Sequence, residues 1–220
     1  RSLLTVFGIA VGVAVLVAIQ LSNASALRAF SESVDAVAGR ANYQILSDAG
    51  LIDQNLLLRL RPLWDLGGRF APVIDAEGFI EPSDLPIRIL GVDLLSDLHF
   101  RDYKFAGIAT SGGASAGGNP TLTNFLTLFE HDSIILPASF AQEQHLALGQ
   151  RIRINVRGRS KDFIVRGLLE PRGPATAFNG SLGIVDIATA QSAFDLQGQL
   201  SRIDLVIPES AAPRAASLLR

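Results

Sequence analysis

One short stretch of the sequence has the spacing of a nucleophilic site. Residues Gly113–Gly117 (GASAG) fit the pattern G-x-S-x-G, and Asp132 and His145 follow in the order serine, acid, base. Such a site needs Ser115 on a strained turn between a strand and a helix, with His145 accepting its proton. Glycines surround the motif in Ser111–Gly118, a composition typical of a flexible segment. We therefore predict no catalytic residue here.

The remaining chemistry of the sequence is sparse. Asp93, Asp97, His99 and Asp102 offer oxygen and nitrogen ligands to a metal, but their spacing matches no established motif and is typical of a solvated face. The absence of cysteine excludes disulfides, zinc–thiolate sites and thiol catalysis. There is no Walker A sequence, and the net charge of −2 gives no basic stripe for nucleic acid. We predict a protein that is not an enzyme, with no metal and no cofactor.

An apolar cluster follows the glycine-rich segment. It consists of Leu122, Phe125, Leu126, Leu128 and Phe129, and the Asn-Pro pair before it would start a short helix. Two interpretations stay open: the helix closes a hydrophobic core, or it contacts lipid, a substrate or a partner protein. In the second case the contact residues are Leu122, Phe125, Leu126 and Phe129.

The first 21 residues predict a transmembrane helix. Leu3–Ile19 contains one polar residue, and residues 3–21 would form a helix roughly 28 Å long, about the thickness of the hydrocarbon core. The rival interpretation is a signal peptide, because Ala24–Ala26 (ASA) resembles a cleavage site. The apolar run is longer than the hydrophobic region of most signal peptides, and apolar residues continue at helical spacing through residues 22–39, which predicts a helical stalk.

Beyond the stalk, the alternation of apolar residues predicts an α+β fold. Residues 40–93 and 186–220 have the order β-α-β-β-α-β of a ferredoxin-like subdomain, with a turn at Glu81–Asp84 and a helix capped by Asp186. Residues 94–185 then form an inserted mixed α/β subdomain, which contains a hairpin turning at Arg157–Arg159.

A family resemblance rests on two parts of the sequence. The start, RSLLTVFGIAVGV, looks like the first membrane helix of ABC transporter permeases of the MacB, FtsX and LolC kind. Ile134–Val156 and Phe163–Leu168 resemble their periplasmic core domain, and Ile89–Asp93 and Ile203–Ile207 lie where such permeases carry similar segments. The chain departs from the pattern at Gln150, where the family often has an acidic residue.

The resemblance implies a fragment of a permease subunit in a bacterial inner membrane, with residues 22–220 periplasmic or extracellular. Its partners would be a cytoplasmic ABC ATPase, membrane lipids, and a periplasmic protein or lipid substrate, in a transporter that is dimeric. ATP hydrolysis would drive export or handover of a lipid, lipoprotein, peptide or drug-like substrate. The alternative is a secreted or membrane-anchored binding module without an ATPase, which cleavage after Ala26 would favour. A membrane-anchored serine hydrolase is a third hypothesis, and it depends on Ser115 alone.

Overall fold

A computed structural model describes most of the chain. It covers residues 7, 11–25, 27, 39–48, 50–97, 99–101, 103–110, 113–116 and 125–218. Residues 11–25 are helical (α1) and their side chains are exposed. Within the described part of the chain, no helix is both long and apolar enough to cross a membrane. The predicted span at 1–21 and the predicted stalk at 22–39 lie partly outside the described residues, and they stay predictions.

The domain after residue 39 contains twelve strands among the residues that the structure describes. They are β1 (Tyr43–Ile45), β2 (Ile52–Asp53), β3 (Arg69–Glu81), β4 (Leu85–Val92), β5 (Phe105–Thr110), β6 (Gly113–Ala116), β7 (Ser133–Pro137), β8 (Arg151–Val156), β9 (Arg159–Leu169), β10 (Leu182–Asp186), β11 (Gln199–Leu200) and β12 (Arg202–Val206). The helices are α2 (Leu56–Leu60), α3 (Pro62–Asp65), α4 (Leu94–Asp97), α5 (Ala138–Glu143), α6 (Ile187–Phe194) and α7 (Ala212–Leu218). Three 3₁₀ segments lie at Thr127–Phe129, Gly173–Gly180 and Glu209–Ala211.

Local sequence signals account for several of these boundaries. Asp186 caps α6, because its carboxylate accepts a hydrogen bond from the amide of Ala188 at 3.0 Å. The β8–β9 hairpin turns at Arg157 and Gly158, which both have positive φ. A two-residue hairpin turn whose twist matches that of its strands requires positive φ at both residues. The predicted helix cap and hairpin turn are therefore confirmed.

Six strands pair in a closed ring. The order is β3–β4–β10–β7–β9–β8, and β8 pairs again with the far end of β3, where Glu81 lies opposite Arg153. Inward side chains such as Ile89, Ile134 and Phe163 are fully buried. A ring of few strands has a narrow interior that side chains fill completely. A Cβ on Gly78 would lie within 3 Å of β8 atoms, which shows how tightly the ring is packed.

Two further pairs of strands extend the ring. β12 pairs with β3 and carries β1 at its outer edge, while β5 pairs with β9 and carries β6. Helices α2, α3 and α6 bury one apolar face with the ring interior in a first core. A second core on the other face contains Val73, Leu90 and Ile184, and the 3₁₀ segments contribute Leu128 and Ala177 to it.

The predicted mixed α/β class is confirmed, but the ferredoxin-like detail is not. The strands of residues 40–93 and 186–220 do pair in the order β1–β12–β3–β4. However, β4 does not end the sheet: its residues 88–92 pair in parallel with residues 182–186 of β10. The stretch 94–185 therefore continues the same sheet and closes the ring. The division into two subdomains stays a prediction about domains.

Candidate functional site

The start of the domain lies beside the end of its last strand. β1 and β12 are antiparallel, with Tyr43 opposite Leu205, so the beginning of β1 lies beside the end of β12. The Asn42 side chain extends this pairing. Its amide nitrogen donates to the carbonyl of Ile207 at 2.7 Å, and its oxygen accepts from the Ile207 amide at 2.9 Å. We call residues 39–42 the junction, because they connect the N-terminal segment to the sheet.

Close backbone packing fixes the start of the junction. Gly39 has a φ of +61°, and a Cβ built on it would lie only 2.2 Å from the carbonyl oxygen of Phe100. The amide of Arg40 donates to that same oxygen at 2.9 Å. Only glycine combines this backbone angle with this approach. The junction is therefore seated directly on the turn formed by Phe100 and Arg101.

A buried ion network lies beneath this turn. Arg101 donates to Asp97 of α4, and its other terminal nitrogen lies 2.5 Å from Oδ2 of Asp204 on β12. The side chains of all three are 0–1% exposed. The Tyr103 hydroxyl donates to the second oxygen of Asp97. Burial raises the pKa of Asp97 above its usual value, although the Arg101 guanidinium opposes this. The guanidinium thus holds α4 against β12 directly below the junction.

The charges continue from this network across the sheet. Arg202 lies 3.0 Å from Asp204 and 2.6 Å from Asp75 of β3, and Asp75 accepts from Arg88 of β4 at 2.7 Å. Burial alone would raise the pKa of Asp75, but the Arg88 hydrogen bond and the Arg202 charge outweigh it and lower the pKa. Positive and negative groups therefore alternate over three adjacent strands, from the junction to β4.

Arg88 stands at the edge of a surface groove. The groove has a volume of about 440 Å³, and Arg88 lies 4.6 Å from the ring centroid of Phe178 there. Its walls combine apolar side chains with two carboxylates: Phe79, Leu85, Pro86, Ile87, Phe140 and Phe178, with Glu77 and Glu143. Phe79 is half exposed. An apolar groove rimmed by charge is a suitable contact surface for an amphipathic substrate.

The ion network predicts a loss of stability at alkaline pH. Burial, together with the adjacent Asp97 carboxylate, raises the pKa of Tyr103 well above 10.0. The raised pKa means that the folded state holds the Tyr103 proton more tightly than the unfolded state does. The contribution of this proton to the free energy of unfolding is therefore complete below pH 10 and is lost as the pH rises further. We expect the midpoint of thermal unfolding to fall from about pH 10 upward. The Tyr103→Phe variant should show a smaller fall, and an equal fall in both proteins would contradict the assignment.

The structure does not form the nucleophile elbow that G-x-S-x-G would require. Ser115 lies within β6, where its backbone pairs with Ile108 of β5, and not on a turn from a strand to a helix. Asp132 is engaged by Arg166 at 2.5 Å, and His145 is an exposed residue that follows α5. Residues 113–116 of the glycine-rich segment form strand β6, which pairs with β5. The flexibility of the whole segment stays a prediction.

The acidic residues predicted to form a solvated face instead serve the fold, and that prediction is wrong for Asp97, which is fully buried. Asp97 is buried against Arg101, and Asp93 accepts from the amide of Leu95 at the start of α4 and from the hydroxyl of Ser96. His99 is exposed and Asp102 lies outside the described residues. Among the residues that can be described, no group of three metal-ligating side chains comes together.

The predicted contact residues separate into two groups. Phe125 and Phe129 pack edge to face at 5.5 Å and lie, partly buried, against the second core, whereas Leu126 is 65% exposed. Leu122 lies outside the described residues. The geometry supports core closure for the two phenylalanines. A contact of Leu126 with a partner or substrate stays a prediction.

Sequence reasoning missed the residues of the buried network. Asp204 stands in an apolar strand, at a position where its neighbours Ile203 and Leu205 are also buried. A charged residue within such a run is a signal of a buried partner. The partner, Arg101, is 103 residues away from Asp204 in the sequence, and only the fold brings the two together.

Two comparisons with known proteins both match ABC transporter permeases or their periplasmic domains. The model of the MacB-like periplasmic core domain family matches residues 2–218. An uncharacterized ABC transporter permease protein of Mycobacterium tuberculosis is 35% identical over 216 residues, which is 95% of this chain and 23% of that protein. The chain thus spans about a quarter of that relative's length.

Two solved structures resemble the domain more distantly. The extracellular domain of the noncanonical ABC-type transporter YknZ from Gram-positive bacteria is 13% identical, with a TM-score of 0.48, over 79% of this chain and 86% of that one. The periplasmic region of MacB from Actinobacillus actinomycetemcomitans is 12% identical, with a TM-score of 0.48, over 81% and 74%.

Proposed function

Since this chain belongs to the family of MacB-like periplasmic core domains, we propose that it is the extracytoplasmic part of an ABC transporter permease. A separate cytoplasmic ATPase supplies the energy, and the N-terminal helix crosses the membrane and transmits the movement to the domain. The domain then exports or hands over a substrate on the far side. Lipids, lipoproteins, peptides and drug-like molecules are the substrate classes under this proposal.

The observation that carries the proposal is the set of contacts that hold the junction, residues 39–42, against the domain. A domain that responds to a membrane helix needs an attachment that does not swivel. Gly39 and Arg40 are seated on the Phe100 carbonyl, and the Asn42 side chain is bonded at both its ends to Ile207. These contacts tie residues 39–42 to the turn at Phe100 and to the residue that follows β12. A displacement of the N-terminal helix would therefore be passed on to the sheet.

The charge network supports a route from the junction to the groove. It links α4, β12, β3 and β4 through buried or half-buried ion pairs. Such pairs have strict geometry, because a misplaced buried charge is costly. A displacement at the junction would therefore move the connected strands β12, β3 and β4 together, and with them Arg88 at the groove. Under this proposal the groove, or the exposed Leu126, is where the substrate or a partner protein makes contact.

The side of the cytoplasmic membrane on which the domain lies tests the proposal directly. This chain has no cysteine, so Phe79→Cys introduces a single thiol at a half-exposed position far along β3 from the junction. In the whole protein, with any cysteine outside this chain replaced, intact cells should be labelled by a maleimide that does not cross the cytoplasmic membrane. The unsubstituted chain is the control for background. Labelling only after the cells are opened would contradict the proposed location.

A further inference from the structure

The outer edge of β1 has no partner strand within the described part of the chain. β1 is the last strand on its side of the sheet, and there it pairs with β12 alone. Tyr43 and Gln44 are exposed, and Ile45 is partly buried. An open strand edge offers its backbone N–H and C=O groups to another chain.

The backbone of Gln44 points to this open side. Pro72 of β3 stands opposite Ile203 of β12 and has no N–H, so this pair cannot exchange two hydrogen bonds. Ile203 therefore turns its backbone groups toward β1, where it stands opposite Ile45. Because bonding alternates along a strand, the N–H and C=O of Gln44 face away from β12. They are placed to bond to one residue of an added strand.

A cleft lies beside this edge, between the end of β1 and α2. It has a volume of about 490 Å³, and we call it the edge cleft. Its apolar lining consists of Ile45, Leu46, Leu51, Ile52 and Leu56. Ile52 is buried, whereas Leu46 is 67% exposed. A side chain that stands opposite Ile45 on an added strand would lie on the same face of the sheet and would reach this cleft.

Two charged residues also line the edge cleft, Asp53 and Arg59. The Asp53 carboxylate accepts from the amide of Asn55 at 2.8 Å, at the start of α2. Arg59 has no ion-pair partner among the described residues. An acidic group on an occupant of the cleft would therefore complement Arg59.

We infer that the outer edge of β1 and the edge cleft form a binding site for an extended peptide segment of a partner protein. The segment adds a strand by bonding to the backbone of Gln44, and it places an apolar side chain in the edge cleft and an acidic one beside Arg59. An extended backbone presents the donor and acceptor pair that this edge requires. A second copy of β1 (YQI) carries no acidic side chain for Arg59. Peptide binding here goes beyond the proposed transport function and does not depend on it.

Peptide selection tests the site. A displayed library of random ten-residue peptides is selected against the whole 220-residue chain in detergent micelles. Alternate residues of a strand lie on one face, so the selected peptides should share an apolar and an acidic residue two or four positions apart. Each selected peptide is then synthesised with a fluorescent label, and its affinity for the chain is measured by anisotropy.

Substitutions at the edge and at the cleft should weaken peptide binding. Gln44→Pro should lower the affinity about tenfold, because it removes the outward N–H and no bond to β12. Gln44→Ala changes only the side chain and should bind like the unsubstituted chain. Arg59→Gln should lower the affinity about threefold, whereas Arg61→Gln should change nothing, since Arg61 is exposed and does not line the cleft. Equal affinity of Gln44→Pro and Gln44→Ala would contradict strand addition.

Hydrogen exchange reports on the same backbone group without any substitution. A bound peptide should slow exchange of the Gln44 amide about tenfold and leave the amides of β7 and β10 unchanged. Unchanged exchange at Gln44, or the failure of any peptide to bind, would overturn the inference. A doubling of the particle mass that Gln44→Pro abolishes would also overturn it, because a second copy would then occupy the edge. Maleimide labelling of Phe79→Cys is independent of these results, so the proposed function is tested separately.

Discussion

Replacing Arg101 by methionine should lower the free energy of unfolding by about 3–5 kcal/mol, because it leaves two buried carboxylates without their shared cation. Asp97 and Asp204 are both fully buried, and Arg101 is the residue that bonds to both. Methionine is apolar, so the expected loss comes mainly from removing the Arg101 charge beside Asp97, while Asp204 keeps its ion pair with Arg202.

The measurement is thermal unfolding of the whole chain in detergent micelles. For a protein of this size the expected loss corresponds to a fall in Tm of roughly 6–20 °C. Arg153→Met is the matched control, because Arg153 also bonds to an aspartate, Asp162, but on the solvent-exposed hairpin. Exposed ion pairs contribute little, so the control should unfold close to the unsubstituted chain. Equal unfolding temperatures for both variants would show that the buried network does not stabilise the domain.

Replacing Gly39 by valine should disconnect the junction while the rest of the domain stays folded. Valine at a φ of +61° is strained by about 1–3 kcal/mol, and its Cβ would collide with the Phe100 carbonyl. The junction must then move away, and the hydrogen bond from Arg40 to Phe100 breaks. Neither core contains Gly39, so most of the packing is unaffected.

Hydrogen exchange can detect this local change. The Arg40 amide should exchange rapidly in the Gly39→Val variant, while the amides of β7 and β10 keep their protection. Gly158→Val is the control, since Gly158 has a φ of +80° but a Cβ added to it would meet no atom within 4 Å. It carries the same kind of backbone strain without the collision. Transport by the whole protein should be lost in the Gly39 variant and retained in the control; retained transport in both would mean that the junction transmits nothing.

The sequence was most informative where local rules decide the structure. The turn at Glu81–Asp84, the helix capped by Asp186 and the hairpin at Arg157 all depend on neighbouring residues, and the prediction was correct for each of them. The resemblance of the strand–helix–hairpin pattern in 134–168 to MacB-like domains was also correct. Periodicity and turn chemistry are local properties, so they are readable without an alignment.

Long-range pairing was not readable in this way. The order of apolar strands does not reveal that β4 continues into β10 or that β8 returns to β3 and closes the ring. The small residues 113–116 have no strand preference, and only their partner β5 makes them a strand. Likewise, Asp97 was predicted to lie on a solvated face, because the Arg101 guanidinium that it shares with Asp204 is in place only when α4 meets β12.

The central claim is that the N-terminal helix and the domain move as one body when the ATPase works. Spin labels on Leu27→Cys and Phe79→Cys report the distance between them, in the whole transporter with any other cysteine replaced; both positions are exposed. The account predicts a single narrow distance distribution that is the same with and without ATP, and a broad one when Gly39→Val is added. A broad distribution in the unsubstituted protein, or a distance that changes with ATP, would contradict a rigid connection through residues 39–42.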